Sequence, residues 1–133
     1  EAGARLGVSL YFEPINRFQD DLVLTTAEGV ALLESLGAPN LGLLLDTFHM
    51  NIEEVDICAA FRSAGRYLAH VHTSDSNRCY PGAGHVDYRQ WWPPYARWAT
   101  RAISPRRSCR GRTWRPASSV LPSTCAGCWP SSL

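Results

Sequence analysis

The stretch "LGLLLDTFHM", residues 41–50, is apolar almost without a break until Asp46. A run of that length and composition reads as a strand buried on both faces, the pattern of a parallel sheet covered by helices. Its flanks agree. "TTAEGVALLESLG" (25–37) carries a capping box from Thr25 to Glu28, apolar Val30, Leu33 and Leu36, and a closing Gly37, which predicts a helix. "IEEVDICAAFRSAG" (52–65) predicts a second helix, with acids in its first turn and Gly65 as its stop. "LGVSLYFEP" (6–14) and "YLAHVHTSDS" (67–76) predict two more strands, and Asp87 predicts the cap of a third helix beginning "YRQWW".

Strands and helices alternating through short loops define an α/β protein with a parallel sheet, either doubly wound or a (β/α)8 barrel. No glycine-rich phosphate loop follows a strand, which argues against a nucleotide-binding sheet. Three βα units do not close an eight-stranded barrel, so the barrel reading makes this chain a fragment. The absence of an initiating Met, directly before a strand-like segment, points to truncation at the front.

The 133 residues suffice for one modest domain, and their net charge of +1 hides a division. Residues 1–87 hold all twelve acids against five arginines, a net −7, whereas residues 88–133 hold eight arginines and no acid, a net +8. All five Trp follow residue 90, and lysine is absent. No signal peptide and no membrane-spanning apolar run is present, which predicts a cytoplasmic protein. "CAGC" (125–128) is a single CxxC pair and a weak zinc signal.

Each predicted strand ends on a group able to bind a metal ion. Alternation places Ser9, Tyr11 and Glu13 on one face of the first strand, Gly42, Leu44 and Asp46 on one face of the second, and Leu68, His70 and His72 on one face of the third. Glu13, Asp46 and His72 then meet at the C-terminal rim, where α/β proteins and barrels hold ligands. Two carboxylates and an imidazole suit Mn²⁺, Mg²⁺ or Co²⁺. Plainer roles exist for each: Glu13 as a solvated turn residue, Asp46 as a turn cap, His70 and His72 as hydrogen-bonded polar groups.

"FEPINRF" (12–18), "LLLDTFHMNIEE" (43–54), "HVHTSDSNR" (70–78) and "PGAGHVDY" (81–88) resemble the sugar isomerase/epimerase family of xylose isomerase-like TIM barrels, and within it the ketose 3-epimerases of the tagatose/psicose type. The resemblance covers most of residues 6–88, in family order and spacing. It implies the C-terminal part of a (β/α)8 TIM barrel, about strands 5 to 7. It makes Glu13 both a catalytic carboxylate and a metal ligand, Asp46 and His72 further ligands of Mn²⁺ (with Mg²⁺ or Co²⁺ as substitutes), and His49 and Arg78 the groups that hold substrate oxygens. His70 is left to support the ligands, and Gln19 departs from the Glu found in these epimerases. The implied chemistry is proton transfer beside a ketose carbonyl through a cis-enediolate, with a small sugar as partner, no nucleic acid or membrane, and homo-oligomers among full-length members. Hydroxypyruvate isomerase or another aldose-ketose isomerase is the nearest alternative. The metal-dependent endonuclease IV shares the fold, but the acidic first part repels phosphate backbones. A non-enzymatic nucleic-acid-binding fragment using the basic tail is the alternative from another class.

The family's second carboxylate comes from the end of the eighth strand, and no acid follows Asp87 here. Reading one base out of register after Gln90 gives a reason. Trp has one codon, so Trp91-Trp92 yields Val, Trp92-Pro93 yields Ala and Trp98-Ala99 yields Gly. With G- or C-ending codons the shifted frame permits "VVAALRAVGYEGYLAAEVLP", an amphipathic helix, a Gly stop and a strand ending in Glu. The expectation is a partial barrel domain over residues 1–89 and a frameshifted, non-native, disordered tail over 90–133.

Overall fold

Glu28 and Thr25 build the helix start that their spacing predicts. The Thr25 hydroxyl accepts the Glu28 N–H at 3.3 Å, and the Glu28 carboxylate accepts the N–H groups of Thr25 and Leu24 at 2.9 and 2.8 Å. These donations hold the Glu28 carboxyl below its ordinary pKa, the Thr25 amide contributing most. The computed structural model describes residues 2–90, and the expectations for residues 91–133 lie outside them. In chain order the elements are α1 (Ala2–Arg5), β1 (Leu10–Phe12), α2 (Thr26–Leu36), β2 (Leu41–Asp46), α3 (Thr47–Glu53), α4 (Ile57–Ala64) and β3 (Leu68–His72), with 3₁₀ turns at Gly65–Tyr67 and Tyr88–Gln90. Helix α2 closes on Gly37 in the left-handed region, φ 58°, its N–H returning to the Leu33 carbonyl.

The strands pair in parallel in the order β1-β2-β3, each beside its sequence neighbour. Parallel strands in sequential order joined through helices are an arc of a barrel wall. Leu43 and Leu45 of β2 face the helices and are fully buried, with Leu33, Met50, Ala60, Phe61, Ala64, Leu68 and Val71 around them. Burial of Phe61 alone contributes roughly 1.5–3 kcal/mol. On the opposite face of the arc, Tyr11 of β1 is exposed.

Three expectations change. The strand predicted over 41–50 ends at Asp46, because the Asp46 carboxylate accepts the Phe48 N–H at 2.9 Å and starts α3. The single helix predicted over 52–65 is two helices. Glu54 is extended (φ −94°, ψ 133°), and Asp56 caps α4 by accepting the Ala59 N–H at 2.9 Å. Glu53 and Glu54 therefore end a helix, and they reach back to Arg17 and to the Thr26 N–H.

The third change is in β3. Leu43 pairs with Leu68 but Leu44 pairs with His70, so Ala69 is an extra residue in the ladder. The bulge turns Leu68 to the buried helix side with Val71, away from His70 and His72. It needs room, and Gly42 supplies it: a Cβ at Gly42 would strike the Ala69 methyl. Asp87 does begin a turn, accepting the Arg89 N–H at 3.1 Å, and Tyr88–Gln90 is 3₁₀; the rest of the predicted third helix is outside the described residues.

Candidate active site at the strand C-termini

Glu13 follows β1 directly, Asp46 ends β2 and His72 ends β3, so the three strand-end groups lie along one edge of the sheet. Asp46 and His72 are register partners. His72 Nδ1 is 4.0 Å from Glu13 Oε1. His49 comes from the first turn of α3, and its Nε2 lies 3.9 Å from the same oxygen. Ligand atoms of Glu13, Asp46 and His49 all fall within 4.8 Å of one another. The structure thus brings together all five residues singled out in the sequence. Among the described residues the three-donor group is Glu13, Asp46 and His49, the last of them expected at the substrate; His72, expected as a ligand, is outside that group and lies 4.0 Å from Glu13 Oε1.

Asp46 divides its two oxygens. Oδ1 caps α3 through Phe48, and Oδ2 accepts Arg78 NH1 at 2.8 Å. The plain and the functional readings of Asp46 therefore hold together, since a carboxylate has about four acceptor sites. Arg78 also approaches His49 Nε2 at 3.1 Å through NH2, and its guanidinium lies 4.0 Å from the Phe48 ring centroid. Arg78 sits at φ 64°, the left-handed region that non-glycine residues seldom occupy, and such strain is stored where surrounding structure fixes it. Asp46 and His49 are buried, while Glu13, His72 and Arg78 are each between a quarter and a third exposed and border a cavity of about 150 Å³ with Ile15 and Gln19.

His70, expected to support the ligands, stacks on Tyr11 with ring centroids 5.6 Å apart and meets His72 edge-on at 5.0 Å. Burial first, and the neighbouring His72 second, push His70 below its ordinary pKa.

Sequence reasoning missed three residues that set this geometry. Asp75 is fully buried and accepts the N–H groups of Ser76, Gly82 and Val86 at 2.7, 2.8 and 3.1 Å. Burial alone raises its pKa, but those backbone donors, together with Gly84, outweigh it and bring the carboxyl below its ordinary value. The loop after β3 is wound around this one side chain, and Arg78 N–H closes it on the Asp75 carbonyl at 2.8 Å. Thr47, also fully buried, ties α3 to that loop: its hydroxyl donates to the Ser74 carbonyl at 2.7 Å and accepts the Ser74 N–H at 3.0 Å. Asn16 packs on His49. The only sequence signal for Asp75 was an acid inside the turn-rich "TSDSN", and nothing marked Asn16 or Thr47.

A parallel α/β arc whose strand C-termini carry two carboxylates, two imidazoles and a guanidinium around one cavity is the rim of a barrel enzyme site. The family description "Xylose isomerase-like TIM barrel" matches residues 1–92, and the chain belongs to that family. It is 46% identical over 85 residues to the D-psicose 3-epimerase of Agrobacterium fabrum, covering 64% of this chain and 29% of that protein. It is 43% identical over 88 residues to the L-ribulose 3-epimerase of Mesorhizobium japonicum, covering 66% of this chain and 30% of that one. A crystal structure of D-psicose 3-epimerase in the presence of D-fructose superposes with a TM-score of 0.69 at 40% identity, over 75% of this chain and 35% of that chain. The chain thus spans under a third of the length of these two curated relatives. No helix among the described residues is long and apolar enough to cross a membrane.

Proposed function

We propose that residues 1–89 form the fifth to seventh strands of a metal-dependent ketose 3-epimerase, carrying one of its two proton-transferring carboxylates. The convergence of Glu13, Asp46 and His72 from three successive strand ends, with His49 and Arg78 at the same cavity, supports this most directly. The donor types suit a divalent cation: ligand atoms of Glu13, Asp46 and His49 lie within 4.8 Å of one another, and His72 Nδ1 is 4.0 Å from Glu13 Oε1. Glu13, Asp46 and His72 would hold it, with Mn²⁺ the preferred ion and Mg²⁺ or Co²⁺ as substitutes. When bound, such an ion supplies Lewis acidity toward a ketose carbonyl.

The chain's own groups do the rest. Glu13, part-exposed to the cavity, takes the proton from the carbon beside the carbonyl, leaving a cis-enediolate. Arg78 and His49 hold the sugar oxygens on which negative charge develops. Inversion then requires a second carboxylate on the opposite face to return the proton. Among the described residues, Glu13 and Asp46 are the acids lining this cavity, so the chain alone binds sugar without completing the epimerisation. Residues 90–133 receive no role in this reading; their arginines follow from a shifted frame, which the coding DNA tests.

Titrating D-tagatose or D-fructose into the Mn²⁺-saturated full chain should give binding heat that Arg78→Ala abolishes. Absence of heat with both sugars refutes the substrate class, and formation of the C3 epimer by this chain refutes its incompleteness.

A further inference from the structure

The loop between β1 and α2 brings Ile15 and Gln19 to the cavity, yet its apolar side chains do little to hold it there. Phe18 is 79% exposed and Leu22 81%. Polar contacts with α3 hold it instead. Arg17 N–H donates to Glu53 Oε1 at 2.7 Å, Arg17 Nε reaches both Glu53 oxygens at 3.0 and 3.1 Å, and NH2 donates to Oε2 at 2.8 Å. The Glu53 side chain is 2% exposed, and a carboxylate so buried depends on the cation that pairs with it.

These contacts follow the pitch of α3. Glu53 stands one helical turn beyond His49 on the same face. Consecutive loop residues meet the two: the Asn16 backbone nitrogen lies 3.2 Å from His49 Nδ1, and that of Arg17 lies 2.7 Å from Glu53 Oε1. Glu54, the next residue, accepts the Thr26 N–H at 2.7 Å where the loop enters α2. Adjacent carboxylates at the end of α3 therefore anchor both ends of the loop. Between the anchors the chain doubles back. The Gln19 and Asp20 N–H groups donate to the Asn16 carbonyl at 2.9 and 3.2 Å, and the Ile15 N–H donates to the Val23 carbonyl at 3.3 Å. Glu13, Asp46 and His72 stand at the strand ends and are placed by the sheet, whose ladder does not include the loop.

We infer that Arg17 and Glu53 are a positioning pair: they hold the loop so that Ile15 and Gln19 wall the cavity, and they set its affinity for a sugar without setting its affinity for a cation. The sugar rests on the function proposed above; the hold on the loop stands on the contacts alone. A chain whose loop is in place for only a fraction of the time binds more weakly by that fraction, so a loop in place about a tenth of the time costs about tenfold in affinity.

The test compares the full chain with Arg17→Gln, with Arg17→Gln/Glu53→Gln, which strands no buried charge, and with Arg17→Lys, which keeps the charge and loses the fork. Hydrogen exchange read by NMR on the metal-free chains is expected to quicken at the Gln19 and Asp20 amides in both glutamine variants and to stay unchanged at Leu43 and Leu45 of β2. Unchanged exchange at Gln19 and Asp20 overturns the hold on the loop, and equal quickening at Leu43 and Leu45 overturns it in favour of a general loosening. With Mn²⁺ saturating, the affinity for D-tagatose or D-fructose measured by calorimetry is expected to fall about tenfold in both glutamine variants and to recover in part in Arg17→Lys. Mn²⁺ affinity by electron paramagnetic resonance is expected to stay within about twofold, as for a site that shares no partner with the pair. Sugar affinity equal to the parent's, or Mn²⁺ affinity lowered as much as sugar affinity, overturns the positioning role. No sugar heat in the parent refutes the function proposed above and the pair's part in it, while the exchange result still decides the hold on the loop.

Discussion

Asp75→Asn tests how the loop that carries Arg78 is held. Asp75 Oδ1 accepts Ser76 and Val86, and Oδ2 accepts Gly82. An asparagine in its better orientation keeps one oxygen and turns an NH₂ toward the remaining donor. Stranding one buried donor costs roughly 1–3 kcal/mol, and the lost charge assistance adds to it. Urea unfolding followed by circular dichroism should therefore show destabilisation on that scale, with faster hydrogen exchange at the Gly82 amide. The pH dependence carries a definite sign. The folded Asp75 pKa lies below its ordinary value, so its contribution is complete above the unfolded value of about 3.9 and is lost as pH falls through the folded pKa. The acid limb of the stability profile should flatten in Asp75→Asn. Stability within about 0.5 kcal/mol of the parent, the range of an ordinary surface substitution, with unchanged exchange at Gly82, refutes the reasoning.

Gly84→Ala attacks the same cradle from the backbone side, because a Cβ there collides with Asp75 Oδ1 and Ser76 Oγ; a loss of about 1–3 kcal/mol in urea unfolding is expected. Tyr88→Phe removes the contact of its buried phenol with Thr47 Oγ1 at 3.3 Å and should cost about 0.5–1.5 kcal/mol. Burial, the largest influence, pushes the Tyr88 phenol far above its ordinary pKa, so spectrophotometric titration should show one tyrosine that resists ionisation until the chain unfolds.

The sequence carried the parts of this structure that local chemistry decides. The Thr25–Glu28 box and Gly37 mark both ends of α2, and the apolar run to Asp46 marks β2. Glu13, Asp46 and His72 could be placed at one rim because a strand's period is two and its end is near. What failed was what depends on a neighbour. The bulge at Ala69 exists because Gly42 leaves space on the adjacent strand, and no period within "YLAHVH" shows it. The break between α3 and α4 depends on Glu54 reaching Thr26, 28 residues away, while Asp56 caps anew. Asp75 and Asn16 act through backbone N–H groups, which have no letter in a sequence.

The central claim is that Glu13, Asp46 and His72 form one cation site. Electron paramagnetic resonance titration of Mn²⁺ into the full chain, beside Glu13→Gln, Asp46→Asn and His72→Gln, tests it directly. The account predicts one bound Mn²⁺ in the parent and affinity reduced at least about tenfold in each variant, since even residues that only orient ligands change metal affinity by about 10–100-fold. Binding that survives all three substitutions, or no bound Mn²⁺ in the parent, contradicts it.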